Sequence, residues 1–582
     1  MRPKNMKSAT FRTKLFLAPV AATLFLAPVS FAAAPGITGP TFSLTAQQAY
    51  LNMPDGNAVY SWGYGCNGAP TAFQPTLANQ TCPSMQVPGP TLIVTEGQNV
   101  TVNLINQLPA AAGNTSILFP GFVLTSTCPN SAANPQGLLT CEAAPGQTVT
   151  YTFTASAPGT HAYYSGTQGD LQIEMGLYGA VIVLPSSIPA NCTAGYHALN
   201  AQAQAHWSEA DFRLTNASGG KGAAYEHPGS CYDREYLFQW AEMDQRIHQQ
   251  ADAQVRATIA SGVCATAGNP GCGLYVQTEP YHPAYFLING RSMPDLMDPN
   301  YASEYPHQPY NGNPHMHPGE LVLVRTIGQG RWEHPFHEHA NHVRILSRDG
   351  NLFLTSNSTP VTYTSGLNGD AGVSAPGLAG HLMFNTDTTP GESFDGIFYY
   401  TGRGLNWDPY GHHPPLGGSA NAGLPAGDAY GDPLATLPCT PDVNGYNSST
   451  PTAVNFMEWC QDHDKPVQVS PFGDVPGGGP ATFPDPNIFT NGAWYGGSPY
   501  LGPDASLRAS HPNCATGSTS TPTNCTDLNP SNVQANPPSE RGWAFMWHSH
   551  NEREITTNNV FPGGMLMMML VDSREFVIDE SK

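Results

Sequence analysis

The chain has 582 residues, of which only 11% are charged, and it contains 60 glycines and 55 prolines. This length is ample for two or more hydrophobic cores, and the glycine and proline content is typical of many short strands joined by turns. The formal net charge of −21 argues against nucleic acid as a partner, because an acidic surface repels phosphate groups.

Residues 1–34 are predicted to be a signal peptide. Met1 to Lys14 contains five basic residues and no acidic one, and an apolar run from Leu15 to Phe31 precedes three alanines. Two prolines inside that run argue against a membrane span, which needs about 20 apolar residues. We therefore expect a secreted, periplasmic or cell-surface protein with no transmembrane span after the signal segment. Removal of the segment would lower the formal net charge from −21 to −26.

The chain contains twelve cysteines, and all of them follow the signal segment. An even number in an exported chain indicates disulfides formed in an oxidising compartment. Our working hypothesis pairs consecutive cysteines, because each such pair brackets a short loop. The cysteines are Cys66, Cys82, Cys128, Cys141, Cys192, Cys231, Cys264, Cys272, Cys439, Cys460, Cys514 and Cys525.

Apolar and alternating segments predict strands along most of the chain. We place a first domain at residues 40–187, a linker at 188–233, and a second domain at 234–400 and 541–575. The strands expected in the second domain are Arg234–Trp240, Tyr285–Gly290, Glu320–Thr326, Gly391–Tyr400, Gly542–His550 and Gly563–Val571. The sequence therefore predicts an all-β protein with two domains.

Residues 401–540 interrupt the second domain with a long insertion rich in Gly, Pro, Asn and Ser, which carries four cysteines. Structureless loops of more than about 15 residues are uncommon in compact domains. Two interpretations have equal weight. The insertion is a disulfide-stapled lid or oligomer contact, or it is a surface decoration without a role.

Two short segments carry the strongest functional signal. They read His334-Pro-Phe-His337-Glu-His339 and Trp547-His548-Ser549-His550. Strand side chains alternate between faces, so His337 and His339 point the same way, as do His548 and His550. Two such strands side by side would gather four imidazoles, which are common ligands of copper, zinc, iron and nickel.

These segments resemble the last cupredoxin domain of the multicopper oxidase family, in which His-Pro-x-His-x-His is followed by a later His-Cys-His. The cysteine of that second motif supplies the thiolate of the blue copper, but this chain has Ser549 there. The family's next blue-copper histidine corresponds to Glu554. The resemblance leaves only His334 and an axial Met565 at that site, so we expect no blue copper.

The N-terminal half also resembles this family. Residues 87–102 are similar to its opening strands, and residues 176–183 are similar to the end of its first domain. The resemblance implies two Greek-key cupredoxin-like β-sandwiches. Where the family has two further histidine pairs, this chain has Leu118-Phe-Pro-Gly121 and Tyr164-Ser-Gly166. Of the eight histidines that hold the family's three-copper cluster, the chain retains His337, His339, His548 and His550.

Several other side chains invite a functional interpretation and are better explained structurally. His315-Met-His317 lies between prolines and is expected to be an exposed polar loop. Met565 and Met567–Met569 fit a core strand better than a Cu(I) site. Tyr163 and Tyr164 are expected to be packed aromatics. Glu552 and Glu554 are either solvated carboxylates or act beside the closing histidines as ligands, partners of imidazole N–H groups or proton donors.

Three functions are consistent with the sequence, and substrate and enzymatic activity are left open. The first is a secreted copper-binding protein that holds one or two ions through four histidines, with zinc or iron as alternative metals. The second is a copper-dependent oxidase that takes electrons directly from a small reductant, a phenol or a metal ion, and passes them to dioxygen. The third is an extracellular structural or assembly protein with a structural metal. A homo-oligomer is compatible with all three.

Overall fold

The computed structural model describes 14 stretches of the chain. They are residues 34–75, 80–128, 137, 139–192, 222–266, 268–316, 320–356, 360–363, 373–400, 440, 442–443, 448, 497–500 and 542–571. Residues 1–33 of the predicted signal peptide and most of residues 401–540 therefore lie outside the described residues.

Among the described residues, ten strands precede the linker region. They are β1 (Gly36–Thr38), β2 (Thr41–Asn52), β3 (Ala58–Cys66), β4 (Phe73–Gln74), β5 (Leu92–Thr95), β6 (Asn99–Asn106), β7 (Thr125–Thr127), β8 (Thr148–Thr154), β9 (Gly159–Tyr164) and β10 (Tyr178–Leu184). A one-turn helix, α1 (Gly169–Gln172), and two 3-10 turns, Ala110–Ala112 and Ala190–Cys192, lie among and after them.

The second half contains the remaining described strands and a longer helix. The strands are β11 (Arg234–Met243), β12 (Tyr285–Ile288), β13 (His315–Met316), β14 (Leu321–Gly328), β15 (His334–Glu338), β16 (Val343–Arg348), β17 (Asn351–Leu352), β18 (Val361–Tyr363), β19 (Val373–Ala375), β20 (Leu382–Met383), β21 (Asn385–Thr388), β22 (Ser393–Tyr399), β23 (Gly497–Tyr500), β24 (Gly542–Ser549) and β25 (Leu566–Val571). The helix is α2 (Gln245–Ser261), and the 3-10 turns are Val263–Ala265 and Asp295–Met297.

The first ten strands form two five-stranded sheets, ordered β4-β1-β5-β10-β9 and β3-β2-β6-β8-β7. Strand β6 shows why they pack together. Its residues Val100, Val102 and Leu104 are buried, whereas Asn99 at the start of the strand and the side chains between the buried ones are more exposed. This alternation is expected of a strand with one face on a core. Trp62, Tyr151 and Val181 lie in the same apolar cluster between the sheets.

Most of the later strands form a second pair of sheets, while β18 and β19 form a separate two-stranded sheet. One has the order β12-β11-β14-β22-β16-β17 with β20 beside β16, and the other has the order β13-β25-β24-β15-β21 with β23 beside β24. Phe238, Phe336, Trp547 and Met567 belong to the apolar cluster of this half. The all-β prediction is confirmed, and the paired sheets are those of a cupredoxin-like sandwich. The boundaries of the two domains remain a prediction.

Apolar contacts join the two halves. One cluster combines Val87 and Tyr178 of the first half with Met243 and Leu287 of the second, and a further cluster places Ile182 with other apolar side chains from both halves. The sheets of the two halves are therefore packed against each other through side chains that are fully buried.

Helix α2 was not expected from the sequence. Its start is capped by Asp244, whose side chain accepts a hydrogen bond from the amide of Arg246, and it ends at Gly262 in a left-handed conformation. Although the helix follows β11 of the second half, its buried side chains Ile247 and Val255 belong to the core cluster of the first half. No helix among the described residues is long and apolar enough to cross a membrane.

Four disulfides join consecutive cysteines, as predicted: Cys66–Cys82, Cys128–Cys141, Cys192–Cys231 and Cys264–Cys272. The other two predicted pairs lie outside the described residues.

Two local expectations need correction. His315 was expected in an exposed loop, but it is partly buried and lies in β13, which runs parallel to β25. The expectation failed because the flanking prolines suggested a loop, whereas a short edge strand also tolerates them. Gly497–Tyr500, inside the predicted insertion, forms β23 and pairs antiparallel with β24. At least this part of the insertion adds a strand to the sheet that carries His548.

Candidate metal centre

Strands β15 and β24 bring the two histidine motifs together. They pair antiparallel with His337 directly opposite His548. Phe336 and Trp547 point to the opposite face and pack in the core with ring centroids 5.9 Å apart. Burying these aromatic rings therefore directs the neighbouring imidazoles to the other face, as alternation along a strand requires.

Three imidazoles lie close enough to share a metal. The ligand atoms offered by His337, His339 and His548 all lie within 4.8 Å of one another, and the Nε2 atoms of His339 and His548 are 3.2 Å apart. His550 lies beside them, because its ring centroid is 4.8 Å from that of His337. His337 and His339 are buried, His548 is half-buried, and His550 is exposed. The cluster is therefore open to solvent on the side of His550.

Backbone carbonyls orient two of these rings. The Nδ1 atom of His337 lies 2.6 Å from the carbonyl oxygen of Phe384, and Nδ1 of His548 lies 2.6 Å from the carbonyl oxygen of Ser549. A carbonyl oxygen can only accept, so Nδ1 carries the hydrogen in both rings and Nε2 keeps its lone pair. A backbone partner of this kind is usual for metal-ligating histidines, because it fixes the tautomer and the ring orientation.

Burial keeps two of the rings neutral. It lowers the pKa of His337 to about 4, with a smaller contribution from repulsion by His548 and His550. Burial is also the main reason why the pKa of His548 is lowered. Neutral imidazole is the form that binds metal, so neither ring has to lose a proton at neutral pH before it can act as a ligand.

The donor set fits an imidazole-bound copper ion and also suits zinc or iron. Imidazole nitrogens bind such ions at about 2.0–2.1 Å, so two ligands of a tetrahedral site lie roughly 3.3 Å apart. The 3.2 Å between His339 and His548 matches this value. Ligands of one ion cannot be more than about 4 Å apart. The three nitrogen atoms lie within 4.8 Å of one another. They can therefore bind one ion if they move closer by under about 1 Å, or they can bind two ions between them.

His334, also predicted as a ligand, points to the other face of β15. It is fully buried, with Nδ1 2.8 Å from Oε2 of Glu554 and Nε2 2.9 Å from Oε2 of Glu242. The hydroxyl of Ser549 donates to the same oxygen of Glu554 at 2.5 Å. Both nitrogens of His334 are engaged by carboxylates and the thiolate is replaced by a hydroxyl, so these residues do not fit a blue copper ion.

The first-domain segments that correspond to the family's other histidine pairs lie next to each other. The amide of Leu118 donates to the carbonyl of Tyr164 at 2.8 Å. Phe119 and Tyr163 pack in the core with ring centroids 5.8 Å apart, and the hydroxyl of Tyr163 donates to the carbonyl of Pro90 at 2.8 Å. These segments contribute aromatic packing and no imidazole.

The remaining candidates separate into core and surface. Met565, Met567 and Met569 are buried in the second-half core, as expected. Glu552 is exposed, whereas Glu554 is buried against His334. His317 lies outside the described residues. Glu242 was not singled out in the sequence, because it lies on β11, far from both histidine motifs, and no local pattern marks it.

A β-sandwich protein whose two halves each contain a pair of sheets, with an imidazole cluster on adjacent strands of the second, belongs to the cupredoxin class. A family model described as multicopper oxidase matches residues 76–188. The iron transport multicopper oxidase fetC of Epichloe festucae (strain E2368) is 38% identical over 104 residues, which cover 18% of this chain and 15% of the relative. The L-ascorbate oxidase of Brassica rapa subsp. pekinensis is 39% identical over 99 residues, covering 17% of this chain and 16% of the relative.

These matches confirm the resemblance of the first half of the chain, residues 76–188, to the multicopper oxidase family. The aligned part spans only about one sixth of either relative. Among solved structures, a blue copper oxidase from Nitrosomonas europaea has 13% identity and a TM-score of 0.38, with 91% of this chain and 85% of that chain covered. Fet3p, a multicopper oxidase that functions in iron import, has 17% identity and a TM-score of 0.33, with 62% and 46% covered. Neither likeness carries a residue role over to this chain.

Proposed function

We propose that this protein binds copper through His337, His339 and His548, with His550 at the solvent side, and that it lacks a blue-copper relay. The observation that carries the proposal is the convergence of three ligand atoms within 4.8 Å. The family supports copper over zinc or iron, because the imidazoles alone would suit all three. The number of bound ions, one or two, depends on how closely the three imidazole nitrogens approach one another.

The protein's own residues prepare the site before metal arrives. The carbonyls of Phe384 and Ser549 aim two Nε2 atoms into the cluster, and burial keeps His337 neutral. Copper held there would supply one-electron redox chemistry and Lewis acidity. The exposed edge at His550 leaves room for a further ligand or a small reductant, since catalytic metal sites keep an open position.

Mutation of facing ligands tests the metal site. The double variant H337A/H548A should lose most bound copper, measured by elemental analysis after loading and dialysis. The control H315A/H317A also removes a His-x-His pair, but His315 belongs to β13 and is not part of the cluster. It should keep the wild-type stoichiometry. Equal losses from the two double variants would place the metal elsewhere.

The visible spectrum tests the absence of a blue copper. The intense thiolate-to-copper band of that centre lies near about 600 nm and requires a cysteine ligand. The four described disulfides leave no free cysteine among the described residues. Copper-loaded protein should therefore be weakly coloured, and a strong band in that region would contradict the proposal.

A relay-free oxidase is the second candidate, and the solvent-exposed side of the cluster favours it. The segments 118–121 and 164–166 supply none of the first-domain histidines on which the family's oxygen reduction depends. We expect oxidation of phenols far below the rate of a laccase. Steady oxygen consumption with a phenol or Mn(II), unaffected by catalase and lost in H337A/H548A, would favour the oxidase instead.

Secretion is part of the same proposal. The four disulfides suit an oxidising compartment. Whether the predicted signal peptide, residues 1–34, is removed or kept as an anchor can be checked by N-terminal sequencing of protein purified from its native host. A purified wild-type protein that binds no metal would favour the extracellular structural role, and gel filtration would then report whether the chain forms a homo-oligomer.

A further inference from the structure

The core-facing side of β15 and β24 carries a second polar cluster, which is built from different residues than the imidazole site. It contains His334, Glu242, Glu554 and Ser549, and all four are at most 1% exposed. The family resemblance places the blue copper here. Burying charged groups in a core is costly unless they are paired and hydrogen-bonded, so this cluster requires its own physical explanation.

The carboxylate of Glu554 is surrounded by donors. Its Oε2 accepts from the hydroxyl of Ser549 at 2.5 Å, and its Oε1 accepts from the side-chain amide of Asn551 at 2.9 Å. The same Oε2 lies 2.8 Å from Nδ1 of His334. A carboxyl group that receives these bonds acts as an acceptor, which places the hydrogen of the contact with His334 on Nδ1 of the ring.

Glu242 lies on the other side of the His334 ring and is likewise surrounded by donors. Its Oε1 accepts from the backbone amides of Arg331 at 2.8 Å and Trp332 at 2.9 Å. Its Oε2 lies 2.9 Å from Nε2 of His334. With two amide donors on one oxygen, Glu242 also acts as an acceptor, which places a second hydrogen on Nε2 of His334. A neutral imidazole has only one N–H, so two acceptors require the doubly protonated ring.

The local backbone is shaped to admit Glu242. Gly330 has a positive φ of 66°, and a Cβ atom there would lie 2.4 Å from Oε2 of Glu242. The absence of a side chain at residue 330 therefore allows the carboxylate to reach His334.

Further titratable groups lie next to Glu242. The hydroxyl of Tyr281 is 3.0 Å from Oε1 of Glu242 and 2.6 Å from Oε2 of Glu174. Burial raises the pKa of Glu174. The hydroxyl of Tyr281 is a donor toward both carboxyl groups, so Glu242 again lies next to a donor.

We propose that Glu242, a doubly protonated His334 and Glu554 form a buried ionic triad that fills the blue-copper position, excludes metal from it, and through Ser549 holds the strand of the metal ligands. Ser549 lies between His548 and His550, and its side chain is tied to Glu554 on the opposite face of β24. The triad therefore restrains the two ligands from the core side. This positioning role rests on the proposed metal site, whereas the protonation of His334 does not.

Neutron diffraction from deuterium-exchanged crystals of the wild-type protein tests the triad directly. We expect deuterons on both Nδ1 and Nε2 of His334 and on neither carboxyl group of Glu242 or Glu554. A single deuteron on His334, or a deuteron on either carboxyl, would overturn the triad. Crystals soaked in copper should show anomalous scattering at the imidazole cluster and none beside His334, and copper bound to His334 would also overturn it.

The positioning role is tested by copper affinity in solution. Ser549→Ala removes the tie to Glu554 and should weaken copper binding about 10-fold, the lower end of the effect of residues that orient metal ligands. Ser549→Thr, which keeps the hydroxyl, should restore most of the affinity. The matched control Ser292→Ala removes another buried hydroxyl, which donates to the carbonyl of Phe286 at 2.7 Å, and should leave affinity unchanged.

The outcomes separate this inference from the proposed function. Wild-type affinity in Ser549→Ala would overturn the positioning role. Equal weakening in Ser292→Ala would also overturn it, because the loss would then be one of general stability. If the wild-type protein bound no copper at all, the proposed function and the positioning role would both be wrong, while the deuteron positions would still decide the triad.

Discussion

Trp547 connects the core to the proposed metal site, and its replacement by phenylalanine should affect both. The side chain is fully buried, with ring centroids 5.9 Å from Phe336 and 4.9 Å from Phe398. Its indole N–H donates to the carbonyl of His339 at 3.1 Å. This bond ties β24, which carries His548, to the segment that carries His339.

The expected loss of stability follows from two contributions. Loss of a hydrogen bond to a buried carbonyl costs about 1–3 kcal/mol. The smaller phenyl ring leaves a cavity of roughly 40 Å³, which at about 24 cal/mol per Å³ costs about 1 kcal/mol. We therefore expect W547F to lower the free energy of unfolding by about 2–4 kcal/mol, and to weaken copper binding about 10-fold because His339 loses its tie to β24.

Trp62 provides a matched control in the first half. It is fully buried, and its indole N–H donates to the hydroxyl of Tyr60, also at 3.1 Å. W62F should be destabilised to a similar extent in urea, monitored by far-ultraviolet circular dichroism, but should bind copper as the wild type does in calorimetry. If both variants kept wild-type affinity, or if both lost it equally, the link between Trp547 and the metal site would be refuted.

Two further outcomes concern buried charges. R325M should lower the free energy of unfolding by about 3–5 kcal/mol, because Glu235 and Asp395 would lose their shared buried cation; in the same urea assay the exposed-site control R256M should stay close to the wild-type value. Burial opposes the charged form of His334, but hydrogen bonds to its two carboxylates outweigh burial and raise its pKa to about 9. Because this folded-state value exceeds the ordinary 6.5, the triad's contribution to stability should be complete below about pH 6.5 and lost as the pH rises through about 9. A melting temperature that falls equally over that range in wild type and H334Q would contradict this assignment.

The convergence of His337 and His548 could be predicted from the sequence because it depends on a local rule. Side chains two residues apart on a strand share a face, whatever the rest of the fold does. The same rule places His334 on the opposite face from His337, since the two are separated by three residues. The consecutive cysteine pairs that the structure describes were also predictable, because each closes a loop of at most 39 residues in sequence separation.

Helix α2 shows a local signal that was present but not used. Asp244 and Gly262 are typical capping residues at its two ends. No local signal predicts the surface on which the helix packs. Its packing on the first-half core depends on the path of the chain after β11, and that path is decided by which apolar surfaces remain to be covered.

The fate of His334 was decided by the tertiary structure alone. The family motif marks it as a metal ligand, and nothing near it in the sequence suggests otherwise. Its partners are 92 and 220 residues away along the chain, Glu242 on β11 and Glu554 after β24. The sequence by itself determined which imidazoles share a face, because backbone geometry sets that alternation. The resemblance had placed Glu554 at the same site as His334, but only the folded chain decided that Glu242 meets the other side of the ring, because such contacts depend on strand order and the packing of the two sheets.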